Sequence, residues 1–169
     1  MPTEIRLSLP YPKISGIGED YRSAAIISPA YAGIHGELNT VLQYVFHSFY
    51  FEKEGMSEAA DVMIGIAICE MKHLDLLGSL LLELGVQPIF TENPPRMCNF
   101  YNTSAICYSR TPQRMLMDDI TGELAAIDAY TQMLDRLSDE AVGAVISRIR
   151  LDEELHVKVL KEQLEKLTE

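Results

Sequence analysis

Apolar residues recur at steps of three and four along four stretches of the chain, the period of a helix that buries one face. The first stretch gives Ile34, Val41, Tyr44 and Phe51. The second gives Met63, Ile66, Leu77, Leu80 and Leu84. The third gives Leu116, Ile120, Ile127, Tyr130, Leu134 and Leu137, and the fourth Val142, Ile146, Ile149, Leu160, Leu164 and Leu167. Local signals bound these helices. Ser28-Pro29 offers a cap followed by a proline at the first helical position, and Gly55 is a natural stop. Ser57 caps the second helix, which runs to about Gly85 with Pro88 beyond it. Thr111-Pro112 starts the third, and Ser138-Asp139 ends it and caps a fourth that nearly reaches the C-terminus. Residues 1–27 carry prolines and glycines without a sustained period. They read as an extended arm ahead of one domain over 28–169. The expected fold is all-α, a four-helix bundle.

The connections set its topology. Tight turns join helices one and two, and three and four, so each pair is antiparallel. Residues 86–110 hold Pro88, Asn93, Pro94, Pro95, Asn99 and Asn102 and no clear helix. A helix of ~25 residues is ~38 Å long, while ~25 extended residues reach ~80 Å. This segment is therefore a long crossover between helices two and three, which starts helix three parallel to helix two. The halves also repeat: each reads Glu, then Tyr seven residues later (Tyr44, Tyr130), then a turn, then Glu-x-x-His.

The polar residues that interrupt the stripes carry the chemistry. Glu37, Glu70, His73, Glu123, Glu153 and His156 each take an apolar position in the middle of a stripe. Glu-x-x-His alone is a weak signal, because on a helix it is often a surface pair. Here it would be buried, and an unpaired buried carboxylate costs several kcal/mol. Two divalent cations neutralise four carboxylates. A Glu and a His three residues apart on one helix face can also ligate the same ion. Four carboxylates and two imidazoles suffice for two metal ions inside a bundle.

Charge and cysteine use narrow the field. Net charge is −11, so the chain repels phosphate backbones and nucleic acid is not an expected partner. No apolar run approaches the ~18 residues of a membrane span. The N-terminus lacks a cationic start followed by an apolar block, so the expected compartment is the cytoplasm. Cys69, Cys98 and Cys107 form no Cys-x-x-Cys pair, which excludes a zinc ribbon or a rubredoxin-type iron site. Cys98 and Cys107 can pair, although thiols in a reducing compartment are usually free.

The segments Glu37-Leu38 through Gln43-Tyr44, Glu70-Met71-Lys72-His73, Met115-Leu116 through Glu123-Leu124, and Asp152-Glu153-Glu154-Leu155-His156 look like the four helix motifs of bacterioferritin. Over residues 29–167 the chain resembles the ferritin-like superfamily of dinuclear carboxylate proteins, including bacterioferritins and the ferritin-like domain of rubrerythrins. The resemblance implies Glu37 and Glu123 as terminal ligands, Glu70 and Glu153 as bridges, and one metal on each of His73 and His156. It implies an oxidoreductase with two iron ions that reacts with peroxide or dioxygen and draws on an electron donor. Two manganese ions with catalase-like dismutation of peroxide, or a non-enzymatic iron-binding or storage protein, are the alternatives. Tyr44 and Tyr130 are expected to hydrogen-bond the ligating carboxylates. Asp152 is expected to accept from a ligand histidine on a neighbouring helix. Its counterpart in the other half is Cys69, so the two metal surroundings should differ.

Departures from the family shape the rest. Bacterioferritins carry a fifth helix for which no residues follow here, and the middle connection is longer than theirs. A small oligomer, a homodimer, is therefore expected rather than a 24-subunit cage. Rubrerythrins have a further glutamate where this chain has Ala126. Met71 stands where bacterioferritins bind haem, but the likeness is one residue and haem is not expected. His35 and His47 read as surface or edge residues, and Lys72 and Asp75 as solvated.

Overall fold

A helix begins where the sequence suggested an unstructured arm. In the computed structural model, which describes residues 4–167, α1 spans Tyr21–Ala32. Asp20 caps it, its Oδ1 accepting from the amides of Arg22 and Ser23 at 2.9 and 3.2 Å. Ser28 and Pro29 thus lie inside α1 and do not start the next helix. The proline is tolerated close to the end of a short helix, and Ser28 Oγ turns back to donate to the Ala24 carbonyl at 2.6 Å. A sharp corner follows. A Cβ on Gly36 would sit 2.7 Å from the Ala30 carbonyl oxygen, so only glycine fits there. This corner leaves Ile34 exposed rather than on a core stripe.

The bundle proper is α2 (Glu37–Lys53), α3 (Ser57–Glu83), α4 (Pro112–Arg136) and α5 (Glu140–Lys166). Gly55 and Gly85, at φ +75° and +82°, end α2 and α3 in the left-handed conformation that favours glycine. The turn at Gly55 makes Met56 the capping position of α3 and places Ser57 inside the helix without a capping bond. Asp139 caps α5 as expected, accepting from the amides of Ala141 and Val142. Pro112 opens α4.

The crossover runs along α2. Tyr101 Oη donates to Asn39, the Cys107 amide donates to Gln43, and His47 reaches the Cys107 carbonyl, each about a turn further along α2. The chain so returns to the far end of the bundle before α4 begins. Going up α4, Asp119, Glu123 and Tyr130 meet His47, Tyr44 and Glu37 in turn. Hence α4 is antiparallel to α2 and parallel to α3, the ferritin-like order. The one ladder contact among the described residues, Thr91 with Phe100, tightens the crossover. No described helix is long and apolar enough to cross a membrane.

Two apolar clusters fill the interior. One gathers Ile27, Leu77, Leu80, Leu81, Ile146 and Ile149 beneath α1. The other gathers Phe51, Met63, Ile66, Met115, Leu116 and Leu160 at the opposite end. Gly78 gives Tyr31 of α1 room to approach, since a Cβ there would lie 3.2 Å from the ring. The stripe of α4 is rotated from the expected one: Ile120, Ile127 and Leu134 are half-buried, while Met115, Asp119 and Met133 are buried. The layer of charged residues lies between the clusters.

Candidate metal centre

Glu37, Glu70, His73, Glu123, Glu153 and His156 converge in that layer. All are buried, none more than 4% exposed. Helical spacing explains the convergence: three residues place Glu70 over His73 on α3, and Glu153 over His156 on α5. His73 Nδ1 lies 3.0 Å from Glu70 Oε2 and 3.1 Å from Glu153 Oε1. His156 Nδ1 lies 2.8 Å from Glu70 Oε1 and 3.0 Å from Glu153 Oε2. Each of these two carboxylates therefore spans both imidazoles. Glu37 approaches only His73, at 3.9 Å, and Glu123 only His156, at 3.7 Å. Two clusters result, Glu37-Glu70-His73-Glu153 and Glu70-Glu123-Glu153-His156, with Glu70 and Glu153 common to both. Glu70 Oε1 and Glu153 Oε1 are buried and face the Nδ1 atoms of His156 and His73, at 2.8 and 3.1 Å. A cation satisfies such oxygens, and the donor set of carboxylate oxygen and imidazole nitrogen suits iron or manganese.

The electrostatics fit a site that wants positive charge. Burial pushes the Glu37 and Glu123 carboxyls well above the usual range, helped by their acidic neighbours Glu70 and Glu153. Burial acts the same way on Glu70, but the His73 imidazole and other close donors outweigh it and hold Glu70 well below. Burial disfavours the charged imidazoles, yet the surrounding carboxylates raise both histidines well above their ordinary value. The carboxylates thus hold positive charge at the imidazoles, which protons or metal ions can supply.

Tyrosines tie the outer carboxylates across the bundle. Tyr44 Oη donates a hydrogen bond to Glu123 Oε1, and Tyr130 Oη donates one to Glu37 Oε1. Each tyrosine serves the glutamate of the other half, so the pairs cross. Asp152 Oδ2 lies 3.2 Å from His73 Nε2 and accepts its proton, which turns Nδ1 toward the carboxylates.

The partners of Asp152 were not legible in the sequence. Tyr11 Oη donates to Asp152 Oδ2 at 2.6 Å, and the Leu7 amide donates to Oδ1 at 2.9 Å. Arg148 Nη1 lies 2.8 Å from the same carboxylate, and the guanidinium covers the Tyr11 ring at 4.4 Å. Arg148 also donates to the carbonyls of Leu7 and Leu9. Burial would raise Asp152, but these donors and His73 hold it well below the usual range. The N-terminal segment is thus a docked strap that braces a histidine. Cys69 occupies the equivalent place in the other half. Its Sγ is 3.5 Å from His73 Nε2, while His156 Nε2 has no hydrogen-bond partner. Replacing Asp152 with asparagine is expected to weaken the metal nearer His73 by ~10–100-fold and to spare the other, since partners of ligands carry effects of that size. Stepwise metal titration by calorimetry checks this; equal weakening of both steps would refute it.

His47 corrects the sequence reading. It is fully buried, because the crossover lies over this face of α2. Its Nε2 donates to the Cys107 carbonyl at 2.8 Å, and its Nδ1 shares a proton with Asp119 Oδ2 at 2.8 Å. Gln43 donates to the same aspartate. His35 and Met71 are exposed, and Lys72 pairs with Asp75 at the surface. All three cysteines are free.

A cleft of about 490 Å³ opens between α2 and α4 and descends to the acidic cluster. Glu37, Glu70, Glu123 and Glu153 form its floor, and Gly122, Ala126 and Ala129 line the α4 wall.

A family model described as Ferritin-like domain matches residues 32–169. Comparison with curated proteins by sequence finds no match. Among solved structures, the wild-type manganese catalase KatB from Anabaena superposes with a TM-score of 0.82 at 22% identity, over 96% of this chain and 80% of that one. A second KatB structure, from Anabaena PCC7120, gives 0.80 at 22% identity, over 97% and 80%. The bacterioferritin of Rhodobacter capsulatus, described with a metal-free dinuclear site and haem iron, gives 0.71 at 23% identity, over 88% and 86%. At these identities the superpositions establish the fold.

Proposed function

Because the chain belongs to the ferritin-like family, we propose that it is an oxidoreductase that holds two iron ions and reacts with peroxide or dioxygen. Glu37 and His73 would hold one ion and Glu123 and His156 the other, with Glu70 and Glu153 shared between the two. The observation that carries this is the reach of Glu70 and Glu153 to both imidazoles, one oxygen of each carboxylate facing each ring. Bound there, two redox ions would supply two-electron chemistry toward an O–O bond. The side chains do the rest. Tyr44 and Tyr130 orient the outer carboxylates and can supply protons beside the centre. Asp152 keeps the proton of His73 on Nε2. The α2–α4 cleft admits the oxidant. Metal-free protein titrated with ferrous ion under argon should saturate at about two ions per chain; saturation at one would sink the reading.

Manganese and catalase-like dismutation form the second reading. It is favoured by the KatB superposition, which spans more of this chain than that of bacterioferritin does. Oxygen evolution from peroxide by manganese-loaded protein, with no acceleration by the iron-loaded form, would select it.

We propose further that the chain works as a homodimer with an electron donor as its other partner. Ile64, Ile68 and Met71 form an exposed apolar stripe on α3, at a helical spacing that suits a self-complementary contact. Light scattering should give about twice the 19.0 kDa chain mass. A mass near half a megadalton would instead favour a storage cage.

A further inference from the structure

The α2–α4 cleft is far larger than hydrogen peroxide or dioxygen requires. Its volume of about 490 Å³ lies in the ~300–1,000 Å³ range of small-molecule sites, whereas one water takes ~30 Å³. The walls are small and mostly apolar: Gly122, Ala126, Ala129 and Met133 on α4, Ala105 from the crossover, and Pro29 of α1. A Cβ on Gly122 would meet no atom within 4 Å, so the space beside it is open. At the floor are the buried carboxylates Glu37, Glu70, Glu123 and Glu153. Charge then selects among apolar ligands. The chain carries a net charge of −11, which favours a neutral ligand over an anion.

We propose that the centre accepts organic hydroperoxides, ROOH with a branched or aromatic R group, whose apolar part lies against the α4 wall while the O–O group reaches the floor. The proposal rests on the peroxide reading above and names the substrate class. The balance is ROOH + 2e⁻ + 2H⁺ → ROH + H₂O. The O–O bond breaks, one oxygen stays with carbon as the alcohol and the other leaves as water. Reduced metal ions held by the floor carboxylates and imidazoles would supply the two electrons, one from each ion, and solvent would supply the two protons.

The test joins a binding readout to a rate ratio. Cumyl alcohol, the unreactive product of cumene hydroperoxide, is titrated by calorimetry into zinc-loaded full-length protein. Saturable binding with a dissociation constant below about 1 mM is expected. Gly122→Leu and Ala126→Leu should each weaken it at least about tenfold. In ferrous-loaded protein the same variants should lower the ratio of cumene hydroperoxide to hydrogen peroxide rates by a similar factor. Leucine is a good helix former, so both variants should fold, and thermal melts by circular dichroism verify this. No saturable binding in the wild type, or an unchanged ratio in both folded variants, overturns the proposal. If hydrogen peroxide is accelerated over free ferrous ion while cumene hydroperoxide is not, the proposal alone falls. If hydrogen peroxide is not accelerated either, the peroxide reading falls with it.

Discussion

Glu70→Ala is expected to abolish paired metal binding, leaving at most one ion per chain at an affinity reduced by more than ~100-fold. Loss of a residue that merely supports a ligand already costs ~10–100-fold, and Glu70 is a proposed ligand to both ions. Its two oxygens sit 3.0 and 2.8 Å from the two imidazoles, a reach shared by Glu153, so its loss halves the proposed bridge. Alanine also removes a carboxylate from a layer whose acidic groups would balance the charge of the two ions. Tyr44→Phe is the contrast. It removes one donor to Glu123 and leaves every proposed ligand in place, so it should keep two ions and change only reactivity. Ferrous titration under argon, read by calorimetry and by metal analysis after desalting, separates the two variants. Equal metal loss in both would contradict the division between bridge and support.

Oxidation of the loaded protein should show the second large effect. Ferrous-loaded protein is expected to be oxidised by peroxide or dioxygen faster than free ferrous ion at the same pH. Carboxylates stabilise the ferric product, and two ions held together deliver two electrons without a separate encounter. Glu123→Ala should slow this at least ~10-fold while leaving both bridges intact. Its carboxylate faces only His156 and is aligned by Tyr44, so its loss opens one ion and leaves the Tyr44 hydroxyl unpaired. Stopped-flow absorbance of the ferric product after mixing with oxidant gives both rates. A wild type no faster than free iron would mean a binder rather than an enzyme, unless the manganese form evolves oxygen.

The two halves of the bundle are not equivalent, and the difference is built from side chains outside the six. His73 has Asp152 behind it, and Asp152 is held by Tyr11, Arg148 and the Leu7 amide. Cys69 holds the matching sequence position in the other half, yet its Sγ lies 3.5 Å from His73 Nε2 and His156 Nε2 is left without a hydrogen-bond partner. Burial pushes the Cys69 thiol up, but the imidazoles of His156 and His73 outweigh this and hold it below its ordinary value. A thiol is a weaker acceptor than a carboxylate. The ion nearer His73 therefore faces the more strongly oriented and more basic imidazole, which is why Asp152→Asn should separate the two binding steps.

What the sequence determined by itself is the part governed by helical periodicity. Stripes of three and four placed α2 to α5, and the glutamates and histidines that interrupt them marked the charged layer, because a helix fixes which residues share a face. The length of residues 86–110 decided that α3 and α4 run parallel. Three features needed the tertiary structure. The helix α1 carries buried residues almost all round, so it shows no amphipathic period, and its Ser28-Pro29 imitates a helix start. His47 looked peripheral because nothing local reveals that the crossover lies over it and that Asp119, 72 residues away, meets it. Tyr11 joins Asp152 across 141 residues. Such long-range contacts depend on how separate elements pack, and no local pattern encodes that. The cleft belongs here too: Gly122, Ala126 and Ala129 read as ordinary helix residues until α2 stands opposite them and leaves the space open.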